Sequence, residues 1–202
     1  GDWSSDVCSS DLEQRKNISV MKKVVLAFSG GLDTSYCAIH LAKDLGYEVY
    51  SAAVNTGGFN EAEQKELEKK ATDLGIKNHV CLDVEQQFYE EGIKYLIFGN
   101  VLKNHTYPLS VSAERVFQAM AIAHYAKEVG ADAIAHGSTG AGNDQVRFDV
   151  AIAALAPDLK VLTPAREWGM SREETIAYGE RFGLPAPVSK KSPYSIDLNL
   201  LG

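Results

Sequence analysis

Cysteine is scarce in this sequence. Its 202 residues include three cysteines, Cys8, Cys37 and Cys81, which are odd in number and far apart. They lack both the paired pattern of a secreted disulfide framework and the CxxC spacing of zinc or redox sites. We therefore predict that Cys37 and Cys81 are free or buried thiols.

Long apolar runs are also missing. The longest, such as residues 24–28, fall far short of the about 20 residues that cross a bilayer. The N-terminus lacks the basic head and apolar run of a signal peptide. We expect no transmembrane helix and interpret the protein as cytoplasmic.

Positive charge is outnumbered by negative charge. Lys and Arg total 20 against 27 Asp and Glu, which gives a formal net charge of −7. An acidic chain is a poor candidate for binding nucleic acid or an anionic membrane, so neither partner is expected. Its 45% hydrophobic and 23% charged residues are typical of a globular domain and exclude a disordered chain.

From Lys22 onward, short apolar strands alternate with amphipathic helices. Strands that are apolar on both faces and followed by helices predict an α/β fold with a doubly wound parallel sheet, here over residues 21–184. Ligands of such folds bind beyond the carboxyl ends of the strands. The predicted strands are 24–28, 48–54, 79–84, 132–136 and 161–162, and the predicted helices are 34–45, 61–74, 116–129 and 172–182.

The two ends of the chain differ from this pattern. Residues 1–20 show neither helix nor strand periodicity, so we expect a disordered leader or an artificial segment. Residues 185–202 contain three prolines and no periodicity. We interpret them as the start of a connection to an absent second domain, and expect the sequence to be cut from a longer protein.

The first motif, Ala-Phe-Ser-Gly-Gly-Leu-Asp-Thr-Ser at residues 27–35, leads from a strand into a helix. Paired glycines at a helix start bring backbone N–H groups against an anion such as phosphate. It is neither a Walker A loop, since no Lys follows the glycines, nor GxGxxG. The alternative is an ordinary turn capped by Thr34 or Ser35. Asp33 suits either a helix cap or a Mg²⁺ ion that bridges pyrophosphate oxygens.

The second motif, residues 136–147, holds three glycines, two hydroxyls, two amides, an acid and a base. The opposed charges of Asp144 and Arg147 would suit a zwitterionic ligand. The alternative is a glycine-rich surface loop with an internal ion pair.

A third segment, residues 107–115, opens a helix, and its simplest interpretation makes Ser112 the N-cap. The histidines have no partner at metal-ligand spacing, so no residue is assigned to a metal. No nucleophile with an adjacent base is evident, which favours catalysis by positioning and electrostatics.

Taken in order, and together with Ser-Pro-Tyr-Ser-Ile-Asp at residues 192–197, these motifs resemble the argininosuccinate synthase family from about Lys22 to Gly202. The first motif alone is shared with the wider ATP pyrophosphatases. The Gly-Asn-Asp-Gln-Val-Arg-Phe run at residues 142–148 narrows the resemblance from these enzymes to the argininosuccinate synthase family. Two departures stand out: Ala141 where many members have Lys, and Asp149 where they have Glu.

The resemblance implies a ligase of arginine biosynthesis and the urea cycle that joins citrulline to aspartate through a citrullyl-AMP intermediate, with ATP and Mg²⁺. It implies a homotetramer for the full-length protein and a second domain that completes the citrulline site, so this chain is expected to bind ATP but turn over poorly. By resemblance, the ATP-binding residues are Ala27, Phe28, Ser29, Gly30, Gly31, Leu32, Asp33, Thr34, Ser35 and Gly137; the aspartate-binding residues are Thr139, Asn143 and Asp144; and the citrulline-binding residues are Tyr107, Ser112, Asn143, Arg147 and Ser195.

Two other functions remain open from the sequence. A different ATP pyrophosphatase, such as a tRNA-modifying or amidotransferase-coupled enzyme, should carry a basic RNA surface or a cysteine nucleophile near the site. A non-catalytic nucleotide-binding module would need neither the second motif nor Arg147.

Overall fold

The computed structural model describes residues 21–140, 142–169, 171–182 and Leu200. Within this part of the chain five strands form one parallel sheet of order β3-β2-β1-β6-β7, and β4 and β5 form a small antiparallel hairpin. The strands are β1 (Lys23–Ala27), β2 (Glu48–Asn55), β3 (Asn78–Asp83), β4 (Leu102–Lys103), β5 (Tyr107–Pro108), β6 (Ala133–His136) and β7 (Lys160–Leu162).

Helices cover both faces of the sheet. The helices are α1 (Leu32–Ile39), α2 (Glu61–Asp73), α3 (Glu85–Phe88), α4 (Lys94–Phe98), α5 (Ser110–Glu128), α6 (Asp144–Leu155), α7 (Pro164–Trp168) and α8 (Arg172–Arg181). A π-helical turn, His40–Asp44, extends α1, and a second, Tyr89–Ile93, joins α3 to α4. No described helix is long and apolar enough to cross a membrane.

Two apolar cores lie on opposite faces of the sheet. Leu26 packs with residues of α1, α2 and α8, whereas its neighbour Val25 packs with α5 and α6. Successive side chains of a strand point to opposite faces, so a strand between two helical layers must be apolar throughout. The predicted doubly wound parallel α/β fold is confirmed, with its five sheet strands within two residues of their predicted bounds.

From β1 the chain adds β2 and β3 on one side of the sheet and then β6 and β7 on the other, so the order of strands reverses between β1 and β6. β1 pairs with β2 on one side and with β6 on the other, and Ala27 lies opposite His136 at their carboxyl ends. Open α/β sheets bind ligands in the crevice at such a reversal. The first and second motifs both follow these two strand ends.

Several helices differ from the sequence prediction. The helix expected from residue 116 begins at Ser110, the one expected from Thr34 begins at Leu32, and α3, α4, α6 and α7 were not predicted. In α6, Phe148 and Ile152 are buried while Val146 and Val150 are exposed. Apolar residues all round this helix give no clear amphipathic period, which explains why it was missed.

Candidate functional site

The first loop, residues 28–31, joins β1 to α1 at the carboxyl edge of the sheet. The Phe28 N–H donates to the Ala52 carbonyl at 2.9 Å, so sheet pairing persists one residue beyond β1. Gly30 has a φ of +69°, a left-handed conformation that glycine adopts without strain. Gly31 is the N-cap of α1 and has no side-chain cap.

Hydrogen bonds within the loop itself fix its shape. The Ser29 and Thr34 hydroxyls lie 3.2 Å apart, and the Gly31 N–H donates to Ser29 Oγ at 3.4 Å. The Thr34 hydroxyl also donates to the Gly31 carbonyl at 3.3 Å. The predicted capping role of Thr34 or Ser35 is therefore wrong, because α1 begins before them and Thr34 instead closes the loop from inside the first turn.

The second loop, which spans residues 137–143, packs against the first turn of α1, directly after the first loop. A methyl group placed on Gly137 would lie 2.9 Å from Thr34 Cγ2 and 3.3 Å from the Thr34 backbone nitrogen. Only glycine permits this approach. Gly137 therefore sets the end of β6 against the first turn of α1, whose N–H groups have no earlier helical carbonyl to bind.

Asp144 and Arg147 do not lie on the second loop, as the sequence suggested, but in the first turn of α6. Arg147 Nη1 binds Asp144 Oδ1 at 2.6 Å, so the two charges pair with each other. Arg115 Nε also reaches Asp144, at 3.4 Å from Oδ2. The internal ion pair of the alternative interpretation is present, in helical rather than loop geometry.

Ser112 is the third residue of α5, whose N-cap is Leu109, so the prediction that Ser112 caps this helix is wrong. Its hydroxyl accepts a hydrogen bond from Arg147 Nη2 at 2.9 Å. Two residues 35 positions apart in the chain, both assigned to citrulline, are thus in contact.

The other predicted site residues are distributed more widely. Asp33, Thr139 and Asn143 are exposed near the crevice. Tyr107 is exposed on β5, with the Lys103 ammonium 5.7 Å from its ring centre. Ser195 and Ala141 lie outside the described residues.

A buried acid near the crevice was missed by the sequence. Glu114 is 3% exposed, and one carboxylate oxygen accepts from the Thr56 hydroxyl at 3.0 Å and from Gln118 Nε2 at 2.8 Å. Arg115 Nη1 lies 3.5 Å from the same oxygen. This network ties the loop after β2 to α5. The one feature of the sequence that pointed to this network was the position of Thr56 directly after a buried strand.

Lys70 of α2 was also missed. Its Cδ lies 3.3 Å from the position that a Cβ on Gly30 would occupy, and its Nζ binds Glu66 at 2.9 Å. The first loop lacks a lysine in its own sequence, but the fold brings one close to it.

Neither described thiol has the character of a nucleophile. Cys37 is buried in α1 and free, and burial raises its pKa to about 12. Cys81 is half-buried and free, and burial raises its pKa as well. Both thiols therefore stay protonated, which confirms the prediction of free or buried cysteines.

A parallel sheet with two glycine loops meeting at its reversal point defines an α/β domain of the nucleotide-binding class. Residues 23–185 match the family model described as "Arginosuccinate synthase N-terminal HUP domain". The chain belongs to the argininosuccinate synthase family, as the motifs indicated.

Curated relatives agree with this assignment. The chain is 60% identical over 182 residues to the argininosuccinate synthase of Synechococcus sp. (strain CC9605), covering 90% of this chain and 45% of the relative. The corresponding protein of Prochlorococcus marinus (strain MIT 9313) is 58% identical with the same coverage. The chain thus spans about half the length of the curated relatives it matches.

One solved structure, a predicted subunit of tRNA methyltransferase from Methanocaldococcus jannaschii, is 18% identical with a TM-score of 0.49. The matched region covers 79% of this chain and 75% of the chain in that structure. This likeness is too distant to carry an argument about function.

Proposed function

We propose that this chain supplies the nucleotide-binding part of an argininosuccinate synthase, which joins citrulline to aspartate and cleaves ATP to AMP and pyrophosphate. The observation that carries the proposal is the approach of Gly137 to Thr34, at 2.9 Å for an added methyl group. It brings two glycine loops and a helix N-terminus into one crevice. The cytoplasm as location and a homotetramer for the full-length protein are part of the same proposal.

ATP is proposed to bind with its phosphates against the first loop. The backbone N–H group of Gly30 and those of the first turn of α1 would supply donors, and α1 would supply the positive end of the helix dipole. Gly137 forms the opposite wall. Residues 27–35 thus provide a charge-complementary surface without a lysine of their own.

Mg²⁺ is proposed to enter with ATP. The described residues contain no group of three or more His, Cys, Asp or Glu side chains that could hold a metal alone. Mg²⁺ at phosphate sites needs only one or two carboxylates in addition to phosphate oxygens and water. Asp33, exposed in the first turn of α1, fits that need. The ion would neutralise charge on the leaving pyrophosphate.

The proposed reaction has two displacements. The ureido oxygen of citrulline attacks the α-phosphorus and forms a new O–P bond while pyrophosphate leaves. The amine of aspartate then attacks the ureido carbon, AMP leaves, and the amine loses a proton. Both steps need alignment of the reacting atoms more than a protein nucleophile, in keeping with the protonated thiols.

The amino-acid substrates are proposed to bind along the second loop and the start of α6. Thr139, Asn143 and Asp144 would hold aspartate. Arg147 and Ser112, already bonded at 2.9 Å, would hold citrulline with Tyr107, Asn143 and Ser195. A substrate carboxylate would replace Asp144 on Arg147, and this exchange of partners keeps the guanidinium paired throughout.

The cysteine-dependent alternative is disfavoured, because burial raises the pKa of Cys37 to about 12. A plain nucleotide-binding module would not need the bond between Ser112 and Arg147.

ATP-dependent thermal stabilisation of Gly31→Val tests the nucleotide site. At Gly31 an added Cβ meets only Ser29 Oγ, at 3.4 Å, and the φ of −80° suits any residue. The fold should therefore lose at most about 1 kcal/mol, from the poorer N-cap. The new side chain would nevertheless stand where phosphate must approach. We expect the ATP shift of the wild type to disappear, and an unchanged shift would sink the assignment.

Titration of Arg147→Ala with citrulline, ATP being present, tests the amino-acid site. We expect citrulline affinity to fall by about 2–5 kcal/mol, because the variant leaves a desolvated carboxylate without its partner. ATP affinity should be retained. An effect on ATP alone would count against this assignment.

A further inference from the structure

A chain of polar contacts leads from the end of β6 to the glycines of the second loop. We call its members, His136, Asp149, Arg166 and Gln145, the loop brace. We propose that Arg166 is a positioning residue, which through the loop brace holds the second loop in the conformation that meets its ligands. The ligand role of the loop rests on the proposed function, whereas the brace rests on contacts alone.

The brace begins at His136, which is 1% exposed. Its Nδ1 accepts a hydrogen bond from the Ser138 N–H at 3.3 Å, and a nitrogen that accepts carries no proton. The neutral ring therefore carries its proton on Nε2, which donates to Asp149 Oδ1 at 2.9 Å. Burial lowers the pKa of His136, which agrees with a neutral ring. One ring thus connects the second loop to α6.

Asp149 continues the brace towards α7. Its other oxygen, Oδ2, accepts from Arg166 Nη1 at 3.0 Å. Burial alone would raise the pKa of Asp149, but the hydrogen bonds from His136 and Arg166 outweigh it and lower the pKa. Asp149 is therefore an anion between two donors.

Arg166 then turns the brace back to the loop. The same Nη1 donates to Gln145 Oε1 at 2.8 Å. A guanidinium only donates, so this contact fixes the orientation of the Gln145 amide. Gln145 Nε2 donates to the carbonyl oxygens of Gly140, at 2.9 Å, and of Gly142, at 3.4 Å.

The second loop is thus held at two places, at Ser138 by His136 and at its glycines by Gln145. Gly140 has no heavy atom within 4 Å of the position of an added Cβ, and Gly142 has a φ of +85°. Glycines in open space lose much conformational entropy when they are ordered. Arg166 donates hydrogen bonds to both Asp149 and Gln145. Removing its side chain should therefore loosen the second loop more than breaking either of these two bonds alone.

Amide hydrogen exchange of the ligand-free chain tests the brace directly. We expect Arg166→Met and Gln145→Met each to raise exchange in residues 138–143 by about tenfold or more, while amides of β1 and β2 stay protected. The double variant should raise exchange by less than the product of the two single effects, because both substitutions break the contact between Arg166 and Gln145. Arg166→Lys should restore much of the protection.

Lys69→Met serves as the control, since it removes an ion pair of α2, to Asp73 at 3.1 Å, away from this loop. It should leave exchange in residues 138–143 unchanged. If Arg166→Met also raises exchange in the sheet, the test rests on Gln145→Met, because that variant leaves the bond between Asp149 and Arg166 in place. Unchanged loop exchange in Gln145→Met would overturn the proposal.

Aspartate titration in the presence of ATP separates the brace from the proposed function. A braced loop predicts that Arg166→Met weakens aspartate by about tenfold and that Arg166→Lys recovers most of the loss. Unchanged aspartate affinity in a chain whose loop exchange has risen would overturn the positioning role. A wild type that binds neither ATP nor aspartate would refute the proposed function, and loop exchange alone would then decide whether the brace exists.

Discussion

The two loops that meet at the reversal point of the sheet are stabilised in different ways. The first loop is closed by Ser29, Gly31 and Thr34, all within six consecutive residues. The second depends on His136 at the end of β6, on Gln145 and Asp149 of α6, and on Arg166 of α7. The side-chain hydrogen bonds that close the first loop thus come from a short stretch of sequence, whereas those that hold the second loop come from separate elements of the fold.

The two loops should therefore respond differently to substitution. Loss of a hydrogen bond of the first loop should act locally, whereas the second loop should respond to the loss of hydrogen bonds from two helices. Gly137 is the point where the two loops meet, so it should be the most sensitive position of all.

Gly137→Val should have the largest effect. Its new side chain would collide with Thr34, where a Cβ already lies 2.9 Å from Cγ2 and 3.3 Å from the backbone nitrogen. We expect a loss of about 3 kcal/mol in the free energy of unfolding, because backbone must move, together with loss of ATP stabilisation. Gly140→Val is the matched control, since nothing lies within 4 Å of an added Cβ there. Equal losses in both variants, measured by urea denaturation, would contradict the contact between the loops.

Gly30→Ala should have the second largest effect. Its Cβ would lie 2.6 Å from Leu67 Cδ2, on a residue whose φ is +69°. Gly46→Ala shares that φ but meets nothing within 4 Å, so it isolates backbone strain of about 1–2 kcal/mol. The excess loss in Gly30→Ala, measured by the same denaturation, reports the contact with α2. A second substitution, Leu67→Ala, should cancel part of that excess, and equal losses in the two glycine variants would show that α2 does not support the first loop.

Acidification should weaken both loops by a smaller amount. Burial lowers the pKa of His79, whose ring meets Phe28 of the first loop at 5.9 Å between centres, and also lowers the pKa of His136 in the loop brace. A histidine of the unfolded chain has a pKa of about 6.5, so below that pH the unfolded chain binds more protons than the folded one. Stability should be full above pH of about 6.5 and decline below it.

Urea denaturation between pH of about 7.5 and 5.5 measures this decline apart from the carboxylates, which titrate nearer pH of about 4. His79→Gln should reduce the slope of stability against pH without abolishing it, since His136 still contributes. A wild type whose stability rises on acidification through this range would contradict the neutral, buried state of both rings.

Ser112→Ala should have the smallest effect. It removes a partly buried hydrogen bond from Arg147, at 2.9 Å, but leaves the bond between Arg147 and Asp144. We expect a loss of about 1 kcal/mol in unfolding free energy, and a larger relative loss in citrulline affinity. Citrulline binding equal to that of the wild type would remove Ser112 from the proposed site.

The sequence predicted the sheet and the first loop because both depend on local pattern. Continuous apolar strands indicated burial on both faces, and the paired glycines after a strand indicated a tight turn into a helix. It failed at α6, where Val146 and Val150 are exposed beside buried Phe148 and Ile152, so periodicity gave no helix. Asp144 and Arg147 were consequently placed on a loop.

Other members of the site escaped prediction because only tertiary contacts define them. Glu114 is one of many acids in the sequence, and its burial against Thr56 requires the packing of α5 on β2. Arg166 gave no signal, since α7 was not predicted and its partners lie in α6. The resemblance to a family is the source of the proposed residue roles, which spacing alone could not suggest.

We propose that the crevice between β1 and β6 is a nucleotide site formed by both loops. Amide hydrogen exchange of the wild-type chain with and without saturating ATP and Mg²⁺ tests it most directly. We expect slower exchange in residues 29–35 and 137–138 together, with α4 and α8 unaffected. No protection by ATP, or protection confined to elements away from both loops, would contradict it.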